Sequence, residues 1–299
     1  DQIDQGCVRG CFMRNLLSVI MAVLSLCVPV LAQDDTEASE LRALTTAYEA
    51  NGWEAVGRLS IGNNGMCTGA MIAPNIVLTA AHCMYDAHSG VRIDPGNIRF
   101  HAGWRNGRAA ASRQVRRTLV HPDYEFTGPS GDLKVSNDLA LLELDSDIHL
   151  ANITPFKTGD RPRKGETVGV VSYAHDRADT PALQEACHVL ARQRGSLILS
   201  CDVDFGSSGA PIFSDVGGEV QIVSVVSAKA EIRGRRVSLG TNLEKPLSEM
   251  RALMARGGGV SSTPTAQART VKATTPGLPS LRMGNALNRG SASSNFVRP

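Results

Sequence analysis

The sequence has no repeat, no excess of charge of one sign and no apolar run long enough to cross a membrane. Its 299 residues include 31 Lys and Arg and 29 Asp and Glu, a formal net charge of +2, which argues against a partner such as nucleic acid. The longest apolar stretch, residues 16–28, is too short to span a bilayer. No period of solenoid length recurs, which excludes a stack of repeats. Because 42% of the residues are hydrophobic, the chain can still bury a globular core.

The N-terminal end differs in composition from the middle of the chain. Residues 13–32 begin with Met-Arg, continue into the apolar stretch and end in Val-Leu-Ala, which is the pattern of a secretory signal peptide cleaved before Gln33. We therefore predict a secreted or periplasmic protein with no stable membrane insertion after cleavage. Residues 1–12 precede this signal and are interpreted as upstream sequence outside the native mature protein.

The C-terminal end is a second distinct segment. Residues 257–299 contain basic but no acidic side chains and are rich in Gly, Ser, Thr and Pro, so we predict a disordered basic tail. Residues 33–52 are polar and are predicted to be an N-terminal extension or a short pro-segment. Residues 53–256 remain as the predicted folded domain.

Cysteine pairs of the kind that hold zinc are missing. After residue 32 the chain has four cysteines, Cys67, Cys83, Cys187 and Cys201, and no Cys-x-x-Cys pair. Their spacings of 16 and 14 do not fit a zinc site, and the histidines have no metal-ligand spacing, so we predict neither a metal nor another cofactor. An even cysteine count in an exported chain suggests disulfides, with three possible connectivities.

Short apolar runs recur from residue 55 to residue 243, separated by Gly, Pro, Asn and Asp. Their brevity and their content of β-branched residues favour strands over helices. About twelve such runs predict an all-β protein, either a barrel or a sandwich. The clearest helix is predicted at residues 246–256, between Pro246 and Gly257.

Three separated segments are ordinary alone but suggest one chemistry together. His82 follows an apolar strand, Asp138 precedes another, and Ser208 lies between two glycines. A Ser hydroxyl is a weak nucleophile near neutral pH and needs a base such as imidazole, which in turn needs a carboxylate to fix its tautomer. We expect the N–H groups of Gly206 and Ser208 to bind a developing oxyanion, because glycine permits the backbone that turns them inward.

These segments resemble the chymotrypsin-like serine endopeptidases, with features of the bacterial glutamyl-endopeptidase-like relatives. The similarity spans residues 53–256 and is carried by the stretches 67–83, 120–124, 137–142, 206–211 and 222–227. The resemblance implies two six-stranded antiparallel β-barrels with the site in the cleft between them, followed here by the C-terminal helix. It also implies protein or peptide substrates, and we expect a monomer.

The resemblance assigns roles to individual residues. It implies that His82 is the general base, Asp138 its orienting carboxylate and Ser208 the nucleophile. Ser227 lies where the family has a Ser on the substrate-binding strand.

The same resemblance bears on the cysteines. Cys67 and Cys83 match the family's first-barrel disulfide. Cys187 and Cys201 flank a turn-like stretch between two apolar strands, where facing positions would allow a second bond.

The sequence departs from the vertebrate members in front of the nucleophile. Those members carry an Asp there, which pairs with an N-terminus released by cleavage of a zymogen, whereas this chain has Ser207. The stretch at 55–58 lacks the Ile-Val-Gly-Gly start and an obvious cleavage site before it. We therefore expect an activity that needs no freed amine at Trp53 or nearby.

Substrate preference is open. Asp202 lies six residues before Ser208, where trypsin-like enzymes have the Asp that attracts Arg or Lys, but Cys201 does not fit that alignment. Lys229, two residues after Ser227, could neutralise Asp202, block the pocket or attract an acidic side chain. Basic, acidic and small substrate residues are all alternatives, and cleavage after Arg or Lys is the favoured one. A non-catalytic binding module and an esterase on the same fold are the alternatives to an endopeptidase.

Overall fold

The structure, a computed structural model, describes residues 38–127 and 132–262. The predicted signal peptide at 13–32 and the chain beyond residue 262 lie outside the described residues. Antiparallel strands dominate the described part, beginning with the short strand β1 (Arg42–Ala43). Within it, no helix is long and apolar enough to cross a membrane.

Six strands close into the first barrel. They are β2 (Val56–Ile61), β3 (Gly65–Ala73), β4 (Ile76–Thr79), β5 (Ile98–Ala102), β6 (Ala111–Val120) and β7 (Ala140–Leu144). The order around the barrel is β6-β5-β2-β3-β4-β7, and β7 pairs back with β6. Successive side chains point to opposite faces of a strand, and the inward-facing set includes the fully buried Leu59, Phe100 and Leu141.

Six further strands close into the second barrel. They are β8 (Thr167–Ser172), β9 (Ala182–Gln193), β10 (Ser196–Leu199), β11 (Pro211–Val216), β12 (Glu219–Ile232) and β13 (Arg235–Asn242). The order is β9-β10-β13-β12-β11-β8, and β8 pairs back with β9. Val170, Leu197 and Ile212 are fully buried inside it. The predicted fold of two six-stranded antiparallel barrels is confirmed.

Each barrel contains one disulfide. Cys67 on β3 is bonded to Cys83, and Cys187 on β9 is bonded to Cys201. Of the three connectivities that four cysteines allow, the structure therefore has the one in which both bonds stay within a barrel.

Two α-helices are described, α1 (Asp132–Ser136) and α2 (Glu244–Ala255). Helix α2 begins at Glu244, two residues before the predicted start at Pro246. Pro246 therefore lies in the first turn, where a helix tolerates proline. Its buried residues Leu247, Met250 and Met254 pack into the same apolar core as the first barrel. The chain therefore leaves the second barrel and returns to the first.

The ordered chain extends beyond residues 53–256 at both ends. Before residue 53, β1 pairs with β9 and the Leu44 side chain is fully buried. After residue 256, the chain forms β14 (Val260–Ser261), which pairs with β6. The first residues of the segment predicted to be a disordered tail thus include a paired strand, which the composition of the tail does not reveal.

Candidate active site

Residues from both barrels line a cavity of about 1350 Å³. The first barrel contributes His82, and the second contributes Ser208, Ser227 and Lys229. The sequence-predicted residues His82 and Ser208 thus face one cavity although they lie in different barrels.

His82 and Asp138 are joined by two hydrogen bonds. His82 lies in a 3₁₀ turn (Ala81–Met84) after β4, and Asp138 lies two residues before β7, the strand that pairs with β4. His82 Nδ1 is 2.7 Å from Asp138 Oδ2, and the His82 backbone N–H donates to Asp138 Oδ1 at 2.8 Å. The Ser227 hydroxyl from the second barrel donates to Asp138 Oδ2 at 2.5 Å. Asp138 is buried, so its carboxylate is held in one orientation by these partners.

The pKa of His82 is raised above its ordinary value of 6.5. Burial lowers this pKa, but the charge of Asp138 and its hydrogen bond to the ring raise it by more, and the more distant charge of Lys134 opposes them. A carboxylate in this position favours the imidazolium form, which a general base must adopt after it accepts a proton.

Residues 204–209 contain Ser208, the nucleophile predicted from the sequence, and are called the nucleophile loop. They connect β10 and Cys201 to β11. Gly206 has φ of 99° and Gly209 has φ of 78°, values that glycine adopts without strain. A Cβ on Gly209 would lie 2.3 Å from the Thr68 carbonyl oxygen, so the loop passes against the first barrel at this point. Among the described residues, no backbone or side-chain acceptor is recorded for the N–H groups of Gly206 and Ser208.

Thr68 on β3 holds the nucleophile loop from the first barrel, a role that sequence reasoning missed. Its N–H donates to the Ser208 carbonyl at 2.8 Å, and its Oγ1 donates to the Gly206 carbonyl at 2.9 Å. The same Oγ1 accepts the N–H of Tyr173 at 3.1 Å. Thr68 is fully buried, so these bonds are shielded from bulk solvent. Its only signal in the sequence is its position beside Cys67.

A sequence profile of the trypsin family matches residues 45–243. The chain belongs to the trypsin family. It is 25% identical over 237 residues to an uncharacterized peptidase of Corynebacterium glutamicum (strain R). The aligned region covers 74% of this chain and 73% of that protein.

Two further comparisons concern glutamyl endopeptidases. The chain is 28% identical over 177 residues to the glutamyl endopeptidase of Bacillus licheniformis, covering 56% of this chain and 50% of that protein. A solved structure of a Glu endopeptidase in complex with MPD superimposes with a TM-score of 0.61 at 19% identity, covering 74% of this chain and 98% of the other. As a trypsin-family member, the chain is a peptidase, and its substrates are peptides or proteins.

The charged residues of this trypsin-family cleft differ from the sequence-based interpretation. Asp202 is exposed and is not among the residues that line the cavity. Its backbone N–H donates to Gln184 Oε1 at 2.7 Å. Lys229 Nζ lies 2.6 Å from Asp204 Oδ1 and 4.1 Å from the ring centre of Phe205. Lys229 therefore neutralises Asp204 rather than Asp202.

Among the described residues, one group of side chains has the composition and spacing of metal ligands. It consists of Cys67, His82 and Cys83. Both cysteines are in the first-barrel disulfide, and a disulfide sulfur is not the thiolate that binds a metal. This group therefore does not form a metal site.

Proposed function

We propose that the chain is an exported serine endopeptidase whose catalytic residues are His82, Asp138 and Ser208. The observation that carries the proposal is the 2.7 Å contact between His82 Nδ1 and Asp138 Oδ2, in a cavity that Ser208 also lines. This contact leaves Nε2 of the imidazole available to a hydroxyl. Export is supported by the signal-peptide pattern at residues 13–32 and by the two disulfides.

The reaction proceeds through an acyl-enzyme. His82 takes the proton from the Ser208 hydroxyl as its oxygen attacks the carbonyl carbon of the peptide bond. The N–H groups of Gly206 and Ser208 bind the resulting oxyanion, and Asp138 stabilises the imidazolium. His82 then gives its proton to the leaving amine. Water, deprotonated by His82, hydrolyses the ester and restores the Ser208 hydroxyl.

We propose that this activity does not require cleavage of the chain near Trp53. The Trp53 N–H donates to the Ala50 carbonyl at 3.0 Å within a continuous segment that is anchored by β1. The residue before the nucleophile is the buried Ser207, which carries no charge to pair with a freed amine. Protein that starts at Gln33 and is intact by mass spectrometry should be active. Intact protein that stays inert until it is proteolysed would contradict this proposal.

For the residue on the N-terminal side of the cleaved bond, we propose that an acidic side chain is preferred over a basic one. The preference for Arg or Lys rested on Asp202, which is exposed outside the cavity lining. The cavity wall instead carries Lys229, and the negative charge of Asp204 is already engaged by it. The similarity to a glutamyl endopeptidase supports the same choice. A fluorogenic peptide library tests it, and faster cleavage after Arg or Lys than after Glu would contradict it.

Covalent labelling tests the catalytic role of Ser208. A fluorophosphonate should give one adduct per chain on wild-type protein and none on the Ser208→Ala variant. Folded wild-type protein that forms no adduct would favour a non-catalytic binding module. Assays with casein and a simple ester separate the remaining alternative, because labelled protein that cleaves only the ester would be an esterase.

A further inference from the structure

An arginine from a separate segment lies behind the nucleophile loop. Arg177 ends the 3₁₀ turn His175–Arg177, which follows β8, and its guanidinium is partly buried. Its Nη1 donates to the Ser172 carbonyl, and its Nη2 donates to Ser172 Oγ at 2.9 Å. The same Nη2 lies 3.4 Å from Ser207 Oγ. One side chain thus connects the end of β8 with the residue that precedes Ser208.

Ser207 is the inward anchor of the loop. It is fully buried, and its Oγ lies 3.3 Å from Ser172 Oγ and 3.2 Å from the Tyr173 carbonyl oxygen. The Asp204 N–H donates to Ser207 Oγ at 3.3 Å. Ser207 lies between Gly206 and Ser208, the two residues whose N–H groups are proposed to bind the oxyanion. Displacement of its side chain would therefore rotate both donors.

The guanidinium brings a fixed positive charge to this position. Burial lowers the pKa of Arg177, and the charges of Asp176, Asp202 and Asp204 act against that lowering. An Arg side chain remains protonated in proteins even when its pKa is reduced. These carboxylates thus favour the protonated form of Arg177 behind the loop.

We propose that Arg177 is a positioning residue that holds Ser207, and through it the N–H groups of Gly206 and Ser208, in the orientation that binds the oxyanion. This inference rests on the proposed serine endopeptidase function. Arg177 is not among the residues that line the cavity. Its effect is therefore on the rate of the chemical step rather than on substrate binding.

Arg177→Ala tests the inference, with Arg161→Ala as the matched control. Arg161 is also a partly buried arginine that donates to backbone carbonyls, including that of Gln193 at 3.0 Å, but its partners lie on β9 and β10 rather than in the nucleophile loop. We expect Arg177→Ala to lower kcat by roughly 10- to 100-fold with little change in KM, because oxyanion donors act only when they are well aligned. Fluorophosphonate labelling should slow in parallel, and Arg161→Ala should leave both rates near wild type.

Rescue separates positioning from packing. A low concentration of guanidinium ion should restore part of the kcat of Arg177→Ala and leave wild type and Arg161→Ala unchanged. Unchanged kcat in folded Arg177→Ala, or a reduced kcat that guanidinium does not raise, would overturn the inference. If Arg177→Ala does not fold, Ser207→Ala replaces it: a lower kcat at constant KM supports the inference, and an unchanged kcat overturns it.

Labelling of wild-type protein distinguishes this inference from the function on which it rests. Wild-type protein without an adduct on Ser208 would contradict both together. Full labelling of wild type at a rate that Arg177→Ala does not change would contradict the role of Arg177 alone.

Discussion

The two barrels contribute different kinds of groups to the cleft. The first supplies His82 and Asp138, which are joined by two hydrogen bonds between neighbouring strands. The second supplies Ser208 on a loop whose glycines have positive φ, and it supplies the charged residues Lys229 and Asp204 at the cavity. The proposed proton-transfer pair thus lies beside two paired strands, whereas the proposed nucleophile lies on a loop that Thr68 of the other barrel holds.

The first barrel's pair offers the largest expected effect. Asp138→Asn keeps the shape of the side chain but removes the charge and the preference for the correct His82 tautomer. We expect kcat to fall by about 10⁴-fold with the fold retained. Steady-state kinetics and circular dichroism measure the two quantities. A loss of less than tenfold would show that the carboxylate is not the orienting group of the base.

Removal of each disulfide compares the barrels directly. The separations of 16 and 14 residues are similar, so Cys67→Ala/Cys83→Ala and Cys187→Ala/Cys201→Ala should each reduce the free energy of unfolding by about 3 kcal/mol. Urea denaturation measures this loss. Only the first pair adjoins His82, so only its removal should also lower kcat in the folded protein. Equal losses of kcat in both variants would contradict the division of roles between the barrels.

Thr68 joins the two regions, and its replacement tests that connection. Thr68→Val keeps the shape but leaves the Gly206 carbonyl and the Tyr173 N–H without their partner, and each unpaired buried group costs about 1–3 kcal/mol. We expect lower stability together with lower kcat. Thr68→Ser, which retains the hydroxyl, is the control. Wild-type behaviour of Thr68→Val would mean that the Thr68 hydroxyl does not hold the loop.

The pH dependence reports on the first barrel. His82 must be neutral to accept a proton, and its pKa is raised above 6.5 because the attraction of Asp138 outweighs burial. Activity should therefore be complete above that raised pKa and fall by roughly tenfold per pH unit below it. A profile of kcat/KM against pH measures this limb. A midpoint below 6.5 would contradict the electrostatic effect of Asp138.

The smallest effect is expected at the charged residues of the second barrel. Lys229 and Asp204 are both exposed, with 46% and 58% of their side chains accessible, and exposed ion pairs contribute about 0.2–1 kcal/mol. Lys229→Met should therefore reduce the preference for an acidic substrate residue only a few-fold. The ratio of kcat/KM for Glu and Leu peptides measures it. An unchanged ratio would remove Lys229 from the account of specificity.

Short apolar runs, which are read over a few residues, were sufficient to predict an all-β chain. The two barrels and the roles of His82 and Asp138 were implied by the family resemblance. Contacts between distant segments were not predictable. Thr68 and Gly206 are separated by 138 positions, and nothing near either residue indicates the other.

The charged residues were misread for a related reason. Counting along the chain aligned Asp202 with a pocket residue, whereas the adjacent Cys201 is fixed by its bond to Cys187 and the Asp202 N–H by Gln184. Cys187 and Gln184 both lie on β9, so the direction of the Asp202 side chain is set only when the barrel has assembled. The role proposed for Arg177 likewise depends on the assembled second barrel, in which β8 ends beside Ser207.

The strand β14 has a consequence for the order in which the protein is made. It continues the edge of β6 beyond the part that pairs with β5, and the Ser262 N–H donates to the Arg116 carbonyl at 2.8 Å. The first barrel is translated before the second, yet one of its edges is covered by residues that follow the second barrel. On the ribosome, the earlier half of the molecule therefore keeps an open strand edge until the later half has emerged.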